Sequence, residues 1–95
     1  MFPVQILKQT KSKFYAGQGT AGAAAALTAQ PDTLMYGVYI RNHDAVNPLF
    51  VGNSNVTVGN GFQVVAGESV WIPVEDARDI YVVSSGAVDY SYLLV

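Results

Sequence analysis

The sequence predicts an all-β fold: a small antiparallel β-sandwich, jelly-roll-like, with about seven or eight short strands and an extended N-terminal arm. Three observations predict it. Short apolar runs are broken at close intervals by turn signals, at Asn53-Ser54-Asn55, Gly59-Asn60-Gly61, Ala66-Gly67 and Ser85-Gly86. Several of those runs alternate with period two, as a strand does. After Thr33 no stretch carries the pattern of a crossover helix, so the strands are expected to pair antiparallel.

In chain order, Phe2, Val4 and Ile6 alternate, and Pro3 suits an edge or a strand start. This segment is either an arm lying across a neighbouring surface or a first strand of the domain's own sheet. Residues 16–22, AGQGTAG, are expected to form a flexible loop, so residues 1–20 divide off as arm and connection and 21–95 as the single sandwich domain. Residues 23–30 are rich in alanine, which permits a short helix. A strand is preferred because Pro31-Asp32 then turns the chain into the strong strand Leu34–Asn42. Tyr36, Val38, Ile40 and Asn42 share one face of that strand, and Met35, Gly37, Tyr39 and Arg41 the other.

After the polar loop Asn42–Asn47 and Pro48, strands are expected at Leu49–Gly52, Val56–Val58, Phe62–Val65 and Ser69–Val74. Glu75–Asp79 is an acidic connection with room for one helical turn. Ile80–Ser84 and Val88–Val95 complete the set around Ser85-Gly86.

A chain of 95 residues allows one domain. It buries only about two-thirds of the surface its unfolded form exposes. Apolar residues make up 51% and charged residues 13%, about half the usual charged share. Either a partner subunit or a surplus of Ser, Thr, Asn and Gly must therefore cover the surface. The net charge of −2 is uneven: Lys8, Lys11 and Lys13 fall in an acid-free start, and all seven acids lie from Asp32 onward. An acidic body with three lysines on one arm argues against nucleic acid. The apolar part of the N-terminus precedes its lysines, the reverse of a secretory signal, and no run is long enough to span a bilayer. The chain reads as soluble, with no membrane partner.

Several strands are apolar on both faces. Trp71 opposes Val70 and Ile72; Tyr81 and Val83 oppose Ile80 and Val82; Leu93 and Val95 oppose Val88, Tyr90, Tyr92 and Leu94. A sheet with one wet face would alternate apolar with polar. The second face is covered either by aromatic packing within one sandwich or by neighbouring polypeptides. In the second case the expected interface residues are Phe2, Val4, Ile6, Lys8, Lys11 and Lys13 on the arm, with Tyr39, Trp71 and Tyr81 on the strands.

Catalytic chemistry has little to build on. His43 is the only histidine, its neighbour Asp44 points to the opposite face of an extended chain, and no serine sits in a nucleophile elbow. Gly17, Gly19 and Gly22 match G-x-G-x-x-G, but that fingerprint needs a strand and helix within a parallel sheet. Glu75, Asp76 and Asp79 lack the spacing of a calcium loop, and there is no cysteine. No catalytic residue, cofactor or metal is expected.

One ordered set of residues goes further. Ile40 and Asn42, then Val51, Gly52, Ser54, Val56 and Thr57, then Asn60, Gly61, Val64, Gly67 and Glu68, and finally Ile80, Tyr81 and Val82 resemble a recurrent β-domain of tailed-bacteriophage virion proteins. The resemblance covers about half the chain, mostly Gly37 to Gly86. It implies a non-enzymatic virion component made in the host cytoplasm and carried on the capsid surface. It implies a major capsid protein or another virion protein as partner, with association of copies, a homotrimer favoured. The size of the chain and the lack of repeats or heptads suit a decoration or cement protein that stabilises the shell. The alternative is a tail- or fibre-associated host-recognition module that binds glycans.

Overall fold

A computed structural model of the chain describes residues 15–28 and 36–95. Among these residues there are eight strands: β1 (Tyr15–Ala21), β2 (Ala25–Ala26), β3 (Val38–Asn42), β4 (Leu49–Gly52), β5 (Phe62–Val64), β6 (Ser69–Ile72), β7 (Tyr81–Val83) and β8 (Val88–Leu94). A single 3₁₀ turn, Ala77–Asp79, sits between β6 and β7.

The strands form two four-stranded sheets, ordered β1-β8-β3-β6 and β2-β7-β4-β5. Every pairing is antiparallel. The pairing is nested: β1 with β8, β2 with β7, β3 with β6 and β4 with β5. It is one long hairpin with its tip at β4–β5, rolled so that successive rungs alternate between sheets. The β3–β8 and β4–β7 contacts then close each sheet. This is the eight-stranded jelly roll, and the all-β expectation holds.

The core lies between the sheets and follows from the alternation. Val38 and Ile40 of β3, Leu94 and Val88 of β8, Leu49 of β4 and Val82 of β7 are buried almost completely. Val51, Val64, Leu27, Ala77, Ile80 and Tyr90 fill in around them.

Two elements differ from expectation. Residues 15–21, expected as arm and flexible connection, form β1, the seven-residue edge of the first sheet. Gly17 and Gly19 pair across strands with Tyr92 and Tyr90. A Cβ on Gly19 would come within 2.6 Å of the Tyr90 hydroxyl, and one on Gly17 would strike the Tyr92 ring. The glycines are thus the bed on which two rings lie, the pairing by which an aromatic side chain shields an edge glycine. The second difference is Val56–Val58, which belongs to a turn-rich loop and not to a strand. Val56 is buried as an anchor between Gly52 and Gly61. Its N–H donates to the Asn53 carbonyl at 3.0 Å, and the Asn60 side chain accepts from the Thr57 N–H at 2.8 Å.

Asn42 joins the sheets. Its side chain is fully buried. Its Nδ2 donates to the carbonyls of Asn47 and Val64, each at 2.9 Å, and its Oδ1 accepts from the Asp44 N–H at 2.8 Å. Its backbone N–H donates to Glu68 at 2.9 Å, and its carbonyl accepts from Gly67 at 3.1 Å. Gly67 has φ +79, the left-handed conformation that favours glycine. One asparagine therefore ties the end of β3 to β5, to the following loop and to the turn before β6.

Candidate functional site: the outer face of the first sheet

The register of β1, β8, β3 and β6 puts their outward side chains in rows across the sheet. The first row is Ala16, Leu93, Tyr39 and Trp71, one residue from each strand. All four are apolar or aromatic, and all four are exposed. Trp71 is 41%, Leu93 40% and Tyr39 50% accessible. The next row, about 7 Å along the strands, is Gln18, Ser91, Arg41 and Ser69. Beyond it Thr20 pairs with Asp89, and the Thr20 hydroxyl donates to the Asp89 carboxylate at 2.7 Å. An apolar stripe therefore runs beside a polar one.

The face has relief as well as stripes. The Tyr39 and Trp71 rings lie 4.9 Å apart, tilted by 48°, and form a ridge on the β3–β6 half. Gly37 lets the indole settle close to the backbone: a Cβ there would fall on the ring's far edge and 2.7 Å from the Ile72 carbonyl. On the β1–β8 half the outward side chains of these two rows are Ala16 and Leu93, then Gln18 and Ser91, with no aromatic ring among them. A shallow hollow of about 530 Å³ crosses the face beside that ridge, lined by Ala16 and Gln18 of β1, Ser91 and Leu93 of β8, Tyr39 and Arg41 of β3 and Ser69 of β6 among others.

Charge on this face is specific. Arg78, away from the face, is held by the Asp76 carboxylate at 2.8 Å, which keeps that carboxyl below its usual range. Among the described residues Arg41 makes no ion pair. His43 Nε2 and Ser91 Oγ lie 2.8 Å apart, so the sole histidine does meet a serine. The Asp44 carboxylate does not complete a triad. It accepts from the N–H groups of Asn47 and Val46, which hold its pKa below the usual carboxylate range. Among the described residues no three His, Asp or Glu side chains gather as a metal site, and no helix is long and apolar enough to cross a membrane.

Of the residues expected at an interface, Tyr39 and Trp71 stand side by side on this face. Tyr81 is elsewhere: it is half-buried in the second sheet, opposite Ala26 and Gly52. Phe2, Val4, Ile6, Lys8, Lys11 and Lys13 lie outside the described residues. Ala16, Leu93 and Arg41 were not singled out from sequence. The two-faced pattern of β8 pointed to Leu93, but only the register aligns it with Tyr39. Comparison of the chain with protein-family models, curated proteins and solved structures found no match.

Proposed function

We propose that the chain is a non-catalytic structural subunit of a virion, a decoration or cement protein that stabilises the capsid shell through subunit–subunit contacts. The observation that carries this reading is the exposed apolar row Ala16–Leu93–Tyr39–Trp71, which crosses all four strands of one sheet. A side of a jelly roll that faced only water would be polar along that row. Exposed aromatic residues on such a face are the usual anchors of protein contacts. The resemblance over Gly37 to Gly86 supplies the virion, the shell and the major capsid protein as partner. In this reading the arm, with Phe2, Val4, Ile6, Lys8, Lys11 and Lys13, attaches to the shell, and the sheet face joins copies. The test is to add the purified chain to shells that lack it, measuring co-sedimentation and the shell's melting temperature. Saturable binding with a higher melting temperature is the expected result; no binding and no shift overturns it.

A second reading, a host-recognition module that binds glycans, draws on the tilted Tyr39–Trp71 pair beside the hydrogen-bonding row of Gln18, Ser91, Arg41 and Ser69. A sugar presents one apolar face and a rim of hydroxyls, which such stripes suit. Titration of Trp71 fluorescence with a panel of saccharides tests it, and a flat response across the panel refutes it.

A further inference from the structure

We infer that the occupant of this face is a second copy of the chain, related by a two-fold axis that runs along the strands between β8 and β3. The inference rests on the reading of the face as a subunit contact and names the neighbour.

The face is complementary to itself. In the apolar row its β3–β6 half bears the aromatic pair Tyr39 and Trp71, and its β1–β8 half bears the smaller Leu93 and Ala16. A two-fold axis between the halves lays each aromatic pair over the other copy's smaller side chains. Row falls on row: Trp71 comes over Ala16 of the second copy, and Tyr39 over its Leu93. Large meets small, and aromatic meets aliphatic. Such a contact is closed, because the same patch serves both partners. Two sheets stacked face to face prefer strand directions within about 30° of each other, which an axis nearly parallel to the strands allows.

Charge agrees with shape. In this pairing Arg41 faces Ser91 of the second copy, and Asp89 lies two residues along the same strand, within the reach of an arginine. Arg41 makes no ion pair among the described residues. The Asp89 carboxylate uses one oxygen for Thr20. Symmetry makes the contact twice.

The area is sufficient but modest. Four strands at about 4.8 Å and about six residues at about 3.3 Å give a face near 20 Å on a side. Two such faces remove on the order of 1,000 Å² from water, at the threshold for a specific pair. The contact is two-fold where the resemblance implies three copies.

Analytical ultracentrifugation of the full chain over a concentration series tests this. The expected result is a reversible monomer–dimer equilibrium. Arg41→Asp and Asp89→Arg should each weaken it by at least about tenfold, and Trp71→Ala by on the order of 100-fold. Mixing the Arg41→Asp and Asp89→Arg proteins should restore association. Each variant repels itself but complements the other, and a change confined to one copy could not be repaired by mixing. Both positions are exposed, and far-UV circular dichroism verifies that the variants are folded. A monomer at every concentration, a trimer, a dimer indifferent to these substitutions, or a mixture that stays dissociated overturns the inference. A monomeric chain that still coats shells leaves the proposed function standing without the dimer. A dimer that ignores shells does the reverse.

Discussion

Replacing Asn42 with alanine removes a side chain that ties β3, β5 and the 43–47 loop together. Three hydrogen bonds are lost, to Asn47 and Val64 and from Asp44. Each is worth about 1 kcal/mol net, and a buried carbonyl left without its donor adds about 1–2 kcal/mol. The expected cost is about 3–5 kcal/mol. A 95-residue chain has a total stability of roughly 5–14 kcal/mol, so the loss is a large share of it. At about 4–8 °C per kcal/mol, its melting temperature should fall by well over 10 °C. Urea titration followed by circular dichroism measures the free energy directly. Asn42→Asp is a sharper variant, because its carboxylate would face the Asn47 and Val64 carbonyls where a donor stood. Burial and those oxygens raise the carboxyl's folded pKa above its unfolded value. Its protonated form is therefore favoured in the fold, and that stability is lost as pH rises through the folded pKa. The gap to wild type should narrow on acidification. A loss below about 1 kcal/mol for Asn42→Ala would refute the assignment of Asn42 as the tie between the sheets.

Gly19→Ala should cost about 1–3 kcal/mol by overpacking and Gly17→Ala less, because Tyr90 is buried while Tyr92 is half-exposed and can swing aside; thermal melts of the pair check the order. Burial raises the Tyr90 pKa above 10.0. Its contribution is thus complete below the unfolded value near 10 and is lost as pH rises through the higher folded value. Tyr90→Phe should flatten the alkaline limb of the stability profile, and an unchanged limb would contradict this. The N–H groups of Asn47 and Val46 depress the Asp44 pKa, so its contribution is present above the unfolded value near 3.9 and lost as pH falls through the folded one. Asp44→Asn should reduce the acid sensitivity of unfolding, seen as a shallower decline of urea midpoint below pH 4.

Strands β3, β4, β5, β6, β7 and β8 were legible because they are short, largely apolar runs, some of them alternating, bounded by turn residues. β1 was not. After Tyr15 its sequence is glycine, alanine and polar residues with no apolar alternation, and it becomes a strand because Tyr90 and Tyr92, some 70 residues away, lie on its glycines. Val56–Val58 misled in the opposite direction. Its V-x-V spacing imitates a strand, while the flanking asparagines and glycines close a hydrogen-bonded loop around Val56. The candidate site was half-visible. Tyr39 and Trp71 stand out as aromatics on the second face of their strands, but parity does not say which sheet a strand joins. Tyr81 has the same parity signal and falls on the other sheet. The row itself depends on the register of β1, β8, β3 and β6, which is set by pairings between residues far apart in the chain.

Two adjacent leucines separate a face that serves the fold from one that serves a partner. Leu94 points inward and is fully buried; Leu93 points outward in the apolar row and is 40% accessible. The same substitution to alanine removes the same atoms from each. At Leu94 it should open a cavity and cost about 3 kcal/mol or more. At Leu93 water already reaches the side chain and no enclosed cavity forms, so the cost should stay near 1 kcal/mol. The order reverses for association. Leu93→Ala takes away the surface that Tyr39 of a second copy would cover and should weaken the pair, while Leu94→Ala, measured where it is still folded, should leave the pair unchanged. Urea unfolding and sedimentation on the same two proteins give both numbers. If both alanines cost the same stability, the outer row is packed within one copy, and neither the subunit reading nor the dimer has a surface to rest on.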